Sequence, residues 1–357
     1  MRRSPSCCAG PGAAVDKQIA GRLVDWYRQH QRPLPWREQP TAYRVWVSEI
    51  MLQQTRIEAV RPYFQRFMAA LPTVEDLARV PEEQLLKLWE GLGYYNRARN
   101  LQKAAQLVCR EYQGRIPDTY EQILRLPGIG EYTAGAILSI AYGVPEPAVD
   151  GNVLRVVARL TASEENVSRP VVKKRVRQQL KEIIPTDAPG EFNQGIMELG
   201  ETLCLPNGVP LCAACPVQEV CRGRALGIAE RLPVRDEKKQ RAVEERTVFL
   251  LCSGGRVALS KRAKTGLLAG LWEFPSADGS LAADQAEQWC REQGLQPRAV
   301  VPAGRYRHIF THREWHMRAW RVDCAAAAGP YQWVTGAQLQ AEYALPTAFR
   351  PFLGALE

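Results

Sequence analysis

Apolar residues recur at helical spacing through the first half of the chain. In residues 16–31 (DKQIAGRLVDWYRQHQ) an apolar side chain falls on the same face at each turn, at Ile19, Leu23 and Trp26. Strand-like alternation is nearly absent before Leu203, and prolines at short intervals divide this stretch into about ten predicted helices. The pattern predicts a mainly α-helical domain over residues 16–221, preceded by a tail at 1–15.

The pattern changes after residue 221. Residues 222–245 are charged and poor in large apolar side chains, which is typical of a linker between domains. The following residues predict two alternating strands on either side of an SGG turn, then a helix and a further strand, at 246–252, 256–262, 283–293 and 315–323. Residues 246–357 are therefore predicted to form a second domain of mixed α and β structure.

Composition narrows the class of protein. The chain has 357 residues, 46% of them hydrophobic, enough to form a core in each of two domains. Its net charge of +9 favours a polyanionic partner. No apolar run approaches the ~18 residues of a membrane-spanning helix, and MRRSPSCCAGPGAAV is too broken by Gly and Pro for a secretory signal. We therefore expect a cytoplasmic protein whose ten cysteines are reduced thiols or metal ligands.

Four of the cysteines are closely grouped, in the pattern C-x7-C-x2-C-x5-C. Four thiolates in so short a segment can hold a zinc ion or a [4Fe–4S] cluster. Structural zinc sites usually pair two C-x2-C knuckles, whereas this segment has one, at Cys212 and Cys215. The spacing therefore favours an iron–sulfur cluster over zinc, with the ligands Cys204, Cys212, Cys215 and Cys221.

A glycine turn precedes one predicted helix. Residues 126–136 (LPGIGEYTAGA) predict a turn that leads into a helix starting at Thr133. Gly128 and Gly130 permit backbone torsions closed to other residues, so successive N–H groups can point outward beside a helix N-terminus. Such a turn can bind a DNA phosphate, or it can simply connect two helices. Glu131 would place a negative charge beside a bound phosphate.

Two acidic residues lie in unusual surroundings. Glu49 falls within VWVSEIMLQQT (45–55), a stretch so apolar that an unpaired carboxylate should have a raised pKa. Asp150 and Asn152, in VDGNV (149–153), are predicted at a helix N-cap. Capping alone would explain the second pair, whereas a buried acid such as Glu49 needs a further reason.

SEIMLQQT, LPGIGEYTAGA, VDGNV and the cysteine quartet occur in this order, and together they closely resemble the MutY adenine DNA glycosylases. The resemblance covers residues 16–225 strongly and the C-terminal domain more loosely. It implies the helix-hairpin-helix fold of DNA glycosylases, with two helical subdomains, DNA in the cleft between them and a [4Fe–4S] cluster. It also implies that the backbone around Gly128 and Gly130 holds a phosphate. The chain departs from the family in its first cysteine interval, x7 where x6 is usual.

The same resemblance implies roles for four residues. Glu49 would protonate the adenine and later help to activate water, because adenine is a poor leaving group until it is protonated. Asp150 would stay ionised and stabilise the oxocarbenium-like sugar, with Asn152 orienting it. Tyr132 stands where the sister endonuclease III group has a lysine that forms a Schiff base with the sugar. A phenol lacks that amine, so a monofunctional glycosylase is implied, with Tyr132 close to the sugar.

Further residues match positions that hold the substrate in the family. The segment RPLPWR resembles the lining of the adenine pocket, at Arg32, Trp36 and Arg37. An N-terminal loop with one buried Trp would have the same sequence pattern. Gln54 and Tyr94 match positions that insert into the duplex where the bases separate.

The C-terminal domain resembles the Nudix-related domain of MutY proteins, beginning with KTGLLAGLWEFP (264–275). Most of the metal ligands of a working Nudix hydrolase are missing from 283–295 (ADQAEQWCREQGL), so the domain is expected to bind and not to hydrolyse. Phe310, Thr311 and His312 match the Phe-Ser-His loop that recognises 8-oxoguanine in the family, with Thr in place of Ser.

Three histidines lie close together in this region, at His308, His312 and His316. At helical spacing they could bind a metal, but the surrounding aromatic and β-branched residues favour a strand and a basic surface loop.

Together with these residues, the resemblance implies an enzyme of base excision repair that hydrolyses adenine from mispairs with 8-oxoguanine or guanine in double-stranded DNA and leaves an abasic site. We expect a monomer associated with a bacterial nucleoid. A non-catalytic iron–sulfur DNA-binding protein would share the hairpin, the charge and the cysteines, but it would gain nothing from Glu49 and Asp150 facing a polyanion. Tyr132 argues against an endonuclease III-like lyase, because a phenol lacks the amine that forms the Schiff base.

Overall fold

Helices form the described chain as far as Arg231, and a mixed sheet dominates the rest. The computed structural model describes residues 14–237 and 240–356, so residues 1–13 of the predicted tail lie outside the described residues. The helices are α1 (Ile19–His30), α2 (Pro35–Glu38), α3 (Ala42–Leu52), α4 (Ile57–Ala70), α5 (Val74–Arg79), α6 (Glu82–Leu88), α7 (Asn96–Tyr112), α8 (Tyr120–Ile123), α9 (Glu131–Tyr142), α10 (Gly151–Leu160), α11 (Pro170–Lys181), α12 (Pro189–Thr202) and α13 (Arg222–Ala225), with 3-10 turns at Cys212–Ala214, Gln218–Val220 and Ala229–Arg231.

The helical periodicity is confirmed, although the helices outnumber the predicted ten because several are very short. Proline occupies the first turn of α2, α11 and α12, where its missing N–H costs no helical hydrogen bond. The helix after the glycine turn begins at Glu131, two residues before the predicted start.

One hydrophobic core contains helices from the beginning and from the end of the helical unit. Helix α1 packs with α10, α11 and α12, and the segment that carries the grouped cysteines lies against the same core. In α11 the apolar residues recur every four positions, so they lie on one face of the helix. This face is buried in the core, at Val172, Val176 and Leu180. A second set of helices is organised by α3, which packs on α4 and α9.

The described C-terminal region contains seven strands, which form one sheet, together with two helices and a 3-10 segment. They are β1 (Ala242–Ser253), β2 (Arg256–Lys261), β3 (Trp272–Glu273), β4 (Ser276–Asp278), α14 (Ala283–Glu292), β5 (Pro297–Ile309), β6 (Arg313–Cys324), β7 (Gln332–Thr335), α15 (Gly336–Glu342) and Arg350–Ala355. The strand order is β3-β2-β1-β6-β5, with β4 on β1 and β7 on β2. Strands β1 and β6 run parallel, with Thr247 opposite Arg318, and the other pairs are antiparallel.

Both faces of the sheet bury apolar side chains. Helix α14 covers one face through Ala286 and Cys290, which pack on Phe249 and Val322. The other face packs on α15 and on the last 3-10 segment. The predicted strands and helix of this region are confirmed. Strand β1 begins at Ala242, within the predicted linker, because its first residues pair with β6 from Arg313 onward.

The described residues form two compact units. The helical unit comprises the chain up to Arg79 together with Asn100–Glu237, and the sheet unit comprises Val80–Arg99 together with the described residues from 240 onward. Residues 80–99, which include α6, thus group with the C-terminal sheet and not with the helices that flank them in sequence. No helix in the ranges 14–237 and 240–356 is long and apolar enough to span a membrane.

Candidate active site

A cleft of about 1090 Å³ in the helical unit collects the four predicted catalytic residues and four of the predicted substrate-binding residues. Its lining includes residues from α2, α3, α9, α10 and α12. The predicted residues among them are Arg32, Trp36, Arg37, Glu49, Gln54, Tyr132, Asp150 and Asn152. Residues that are far apart in the sequence therefore share one cleft.

Glu49 is a buried acid at the wall of this cleft. It lies on α3 among apolar neighbours and is 7% exposed. Burial raises the pKa of Glu49 to about 7, although the hydrogen bond from Tyr132 and the charge of Arg37 oppose the rise. The predicted upward shift is confirmed, and the carboxyl group can be protonated near neutral pH.

Tyr132 is the hydrogen-bond partner of Glu49. Its hydroxyl donates to Oε2 of Glu49 at 2.6 Å and also lies 3.7 Å from the sulfur of Met197. Burial, and then the charges of Glu49 and Asp150, raise the pKa of Tyr132 well above its usual value. The phenol therefore keeps its proton and acts as a donor.

Asp150 is the N-cap of α10, as predicted. Its Oδ1 accepts from the backbone N–H of Val153 at 2.7 Å, and its Oδ2 accepts from Nδ2 of Asn152 at 3.0 Å. Burial raises the pKa of Asp150, while hydrogen bonds from the backbone N–H groups of Val153 and Asn152 oppose that rise. N–H donors of this kind stabilise the ionised form, whereas the hydrogen bond described for the Glu49 carboxylate comes from a phenol.

Arg155 holds Asn152 in place, a role that motif matching missed. It is 2% exposed, and its Nη2 donates to Oδ1 of Asn152 at 2.9 Å and to the carbonyl of Gly200 at 2.7 Å. Its Nε donates to the carbonyl of Cys204 at 2.9 Å. Because Oδ1 of Asn152 faces Arg155, the amide nitrogen is directed to Asp150. The signal in the sequence was an arginine three residues after Asn152, on the same face of α10.

Arg32 and Arg37 converge on a buried acid that sequence reasoning also missed. Glu198 is 1% exposed; it accepts from Nη2 of Arg37 at 2.8 Å and from Arg32. Arg32 also bonds Glu201 at 2.7 Å, and Arg37 bonds Gln194 at 3.1 Å. Burial opposes ionisation, yet the two arginines hold the pKa of Glu198 below its usual range. Two glutamates three residues apart in α12 were the available signal.

Trp36 and Gln54 occupy different parts of the lining. Trp36 is 6% exposed and packs edge-on against Phe64, with ring centroids 5.5 Å apart. Gln54 lies in the connection between α3 and α4 and has φ 59°, a left-handed conformation that is uncommon for a residue other than glycine.

The glycine turn has one special backbone position and not two. Gly128 has φ 80°, and a Cβ there would lie 2.8 Å from Cβ of Asn100. Gly130 has φ −102° and ψ 179°, an extended conformation open to any residue, so its expected special torsion is not found. It is the N-cap of α9, with no side-chain hydrogen bond, and Glu131 is exposed in the first helical turn.

The four grouped cysteines line a single cavity of the helical unit, beside α10 and α12. Among the described residues, no three His, Cys, Asp or Glu side chains form a group that could hold a single metal ion. Arg159, which is 2% exposed, donates to Sγ of Cys204 at 3.2 Å and to the carbonyl of Leu205 at 2.9 Å. Burial raises the pKa of Cys215 to about 12.

The remaining predicted residues lie in the sheet unit. Phe310, Thr311 and His312 form the loop between β5 and β6. The hydroxyl groups of Tyr94 and Thr311 are 2.6 Å apart, so the structure brings two of the predicted DNA-facing residues into contact. His316 lies between the carboxylates of Glu314 and Glu245, at 2.8 and 3.3 Å.

Comparison with known proteins identifies the family. Residues 47–186 match the HhH-GPD superfamily of base excision DNA repair proteins, and residues 247–355 match the NUDIX domain. An adenine DNA glycosylase of Buchnera aphidicola subsp. Acyrthosiphon pisum is 33% identical over 300 residues, which cover 84% of this chain and 85% of that protein. The chain belongs to the adenine DNA glycosylase family.

Other members of the adenine DNA glycosylase family are similar over most of this chain. The Homo sapiens protein is 37% identical over 81% of the chain, and the Arabidopsis thaliana protein 39% over 83%. The chain spans 63% and 55% of the length of these two relatives.

Two solved structures are similar to a large part of this chain. A thermostable thymine-DNA glycosylase aligns with a TM-score of 0.54 and 27% identity, over 59% of this chain and 96% of that one. A trapped endonuclease III–DNA covalent intermediate aligns with a TM-score of 0.51 and 26% identity, over 60% and 99%. The predicted fold, a helix-hairpin-helix glycosylase region followed by a Nudix-like domain, is confirmed.

Proposed function

We propose that this protein removes adenine from DNA by hydrolysing its N-glycosidic bond, with adenine mispaired with 8-oxoguanine or guanine as the substrate. One observation carries the proposal: an acid that titrates at about 7 and a carboxylate held by N–H donors share one cleft. Bond cleavage at a sugar requires such a pair, one member protonated and the other ionised.

The proposed reaction uses the two acids in sequence. Protonated Glu49 donates its proton to a ring nitrogen of adenine, and the electron pair of the C1′–N bond leaves with the base. Asp150 stabilises the positive charge left on the sugar. Water then adds to C1′, and its proton returns to the Glu49 carboxylate. The products are free adenine and an abasic site, and both acids end in their starting states.

The reaction is proposed to stop at the abasic site. Strand cleavage through a Schiff base needs an amine nucleophile, and Tyr132 offers only a protonated phenol at this position. No lysine is among the described residues that line the cleft. Tyr132 instead keeps Glu49 oriented toward the cleft through its hydrogen bond.

The cleft is suited to an adenine turned out of the duplex. Trp36 contributes apolar lining, while Arg32 and Arg37 are paired with Glu198 and Glu201 and contribute little free charge. We propose that Gln54 and Tyr94 are the wedges at the displaced base pair. The left-handed backbone at both, with φ 59° and 49°, supports a loop tip that projects its side chain.

We propose that Phe310, Thr311 and His312 recognise the base opposite the adenine, and that the turn at Gly128 and Gly130 holds a phosphate of the same duplex. A hydroxyl at Thr311 can donate to or accept from an oxidised purine. With DNA as the substrate, we infer a monomer that acts at the bacterial nucleoid in the cytoplasm.

Cys204, Cys212, Cys215 and Cys221 fit a [4Fe–4S] cluster better than zinc. All four line one cavity of the helical unit. Their spacing has a single C-x2-C knuckle, at Cys212 and Cys215, whereas structural zinc sites usually pair two. A bound cluster would supply a rigid anchor for this segment, and Arg159 would donate to the sulfur of Cys204 there.

The deciding experiment is a single-turnover assay on a duplex with adenine opposite 8-oxoguanine, with and without alkali. Wild type should give strand breaks only after alkali, and Glu49→Gln should lose them while it still binds the duplex. Glu164→Gln, an exposed glutamate, is the matched control. Binding without base release by the cluster-loaded wild type would leave a non-catalytic DNA-binding protein, and breaks without alkali would indicate a lyase.

The cofactor needs a separate measurement. Iron and sulfide analysis of the purified protein should give about four of each per chain, with visible absorption that Cys215→Ser abolishes. Stoichiometric zinc in place of iron would overturn the cluster.

A further inference from the structure

Residues 80–99 are attached to the C-terminal part of the sheet unit through helix α6 and through Glu90, which follows that helix in the sequence. Lys87, on α6, donates from Nζ to the backbone carbonyl of Tyr343 at 2.9 Å and to that of Leu339 at 3.4 Å. These two acceptors belong to α15 and its C-terminal cap. The contact joins parts of the chain more than 250 residues apart.

Glu90 makes the central contact of this attachment. Its side chain is 15% exposed, and its Oε1 accepts from the backbone N–H of Leu345 at 2.9 Å. Its Oε2 pairs with Nζ of Lys87 at 2.8 Å, and Arg350 lies 3.8 Å from Oε1. One carboxylate thus receives an N–H and two cations, which fixes its position in a partly desolvated setting.

The loop that follows Glu90 is held by contacts within the segment itself. The indole N–H of Trp89 and Nη2 of Arg97 both donate to the carbonyl of Gly93, at 3.2 and 3.1 Å. The guanidinium of Arg97 stacks on the rings of Trp89 and Tyr94, 5.4 and 5.5 Å from their centroids. Because the loop is braced internally, its attachment at Glu90 determines where Tyr94 stands.

Tyr94 stands against Thr311. The residue is 47% exposed, and its hydroxyl lies 2.6 Å from the hydroxyl of Thr311. The loop of Thr311 is itself held: Arg241 donates to the carbonyl of Phe310 at 3.1 Å, and the ring of Phe310 packs on Trp315 with centroids 4.8 Å apart. A hydrogen bond this short requires both loops to keep their positions.

We infer that Glu90 is a positioning residue for opposite-base recognition: by fastening the loop of Tyr94 to residues 339–345, it sets Tyr94 against Thr311. The inference rests on the proposed function, in which Tyr94 and Thr311 contact the duplex. Glu90 itself touches no DNA in this scheme and acts through Tyr94.

The test compares single-turnover excision of adenine opposite 8-oxoguanine and opposite guanine. Glu90→Ala removes the acceptor of the Leu345 N–H and should lower the ratio of the two rates about tenfold, or about 1.4 kcal/mol of discrimination. Glu90→Gln keeps an acceptor and should restore most of the ratio. Glu83→Gln is the matched control, because its pair with Lys261 joins the same helix to β2 but is exposed on both sides.

A double-mutant cycle separates positioning from general stability. In a Tyr94→Ala background, Glu90→Ala should cause no further loss of the ratio, since the two changes remove the same contact with the duplex. Additive losses, or an equal fall of both rates in Glu90→Ala alone, would overturn the inference.

The fluorescence of 2-aminopurine in the duplex tests the inference independently of base preference. 2-Aminopurine beside the base opposite adenine should brighten when wild type binds and unstacks it, and Glu90→Ala and Tyr94→Ala should both lose this signal. A wild type that excises both substrates equally would refute the proposed opposite-base specificity, while the fluorescence would still report whether Glu90 positions Tyr94. Full brightening with Glu90→Ala would overturn the inference.

Discussion

The hydroxyl of Tyr132 donates a hydrogen bond to Oε2 of Glu49 across 2.6 Å, joining α9 to α3 at the wall of the cleft. The two residues are 83 positions apart in the chain. Burial raises the pKa of Glu49 to about 7, and this hydrogen bond opposes the rise because it stabilises the carboxylate. The acid strength of Glu49 therefore depends on its partner from α9.

The first prediction concerns pH. In the proposed mechanism excision needs protonated Glu49, so the single-turnover rate should be highest below about pH 7 and fall as the pH rises through the pKa of Glu49. Tyr132→Phe removes the donor that lowers this pKa, so the falling limb should move to higher pH. The measurement is a rate profile from pH 5 to 9. Tyr142→Phe, also on α9 but bonded to the carbonyl of Ile116, is the control, and a limb that moves to lower pH would contradict the assignment.

The second prediction concerns Arg155. Arg155→Met removes the donor that turns the amide of Asn152 toward Asp150, and misplacement of a catalytic group by about 1 Å costs roughly 100-fold in rate. We expect excision to fall by tens of fold while the duplex still binds. In an Asn152→Ala background the same change should add little. An undiminished rate in Arg155→Met would show that Asn152 keeps its orientation without it.

The third prediction concerns stability. Glu198 is 1% exposed and pairs with Arg32 and Arg37, and Arg32 also pairs with Glu201. Loss of Glu198 therefore leaves Arg37 without its carboxylate, and breaking a buried pair in this way costs about 3–5 kcal/mol. Glu198→Gln should lower the free energy of unfolding by about 3 kcal/mol in urea titration. Glu191 lies on the same helix as Glu198 and forms an exposed ion pair with Arg28. Glu191→Gln should therefore cost only about 0–1 kcal/mol.

The same carboxylate predicts a pH dependence of stability. The folded-state pKa of Glu198 lies below its usual value, so the contribution is present above the unfolded-state pKa and is lost as the pH falls through the folded-state pKa. The cost of Glu198→Gln should therefore shrink in acid. A cost that grows on acidification would contradict the sign.

The fourth prediction compares two glycines. An alanine at Gly128 meets φ 80° and a Cβ contact of 2.8 Å with Asn100, whereas one at Gly130 meets extended backbone and open space. Gly128→Ala should weaken duplex binding several-fold more than Gly130→Ala, since strain of about 1–2 kcal/mol would shift the turn. Equilibrium binding at fixed salt measures the difference, and equal losses would exclude a role for the Gly128 torsion.

Much of the molecule could be predicted from the pattern of its residues. The helices of residues 16–203, the strands around the SGG turn and the N-cap at Asp150 depend on local periodicity and capping, which a short stretch of sequence carries. The raised pKa of Glu49 could also be foreseen, because its own apolar neighbours bury it.

Other features required long-range contacts. Arg155 and Glu198 look like ordinary helical residues until α10 and α12 bring them beside Asn152 and Arg37. Gly130 looked as special as Gly128, since only the path of the chain sets a torsion.

The sequence alone determined which chemical groups are present: an acid in apolar surroundings, a capped aspartate, a phenol just after the glycine turn, and four grouped thiols. The tertiary structure decided how strongly each group holds its proton and which partner orients it. It also decided that residues 80–99 group with the C-terminal sheet. The reason is physical: periodicity is a property of neighbours along the chain, whereas desolvation, charge and hydrogen bonding depend on neighbours in space.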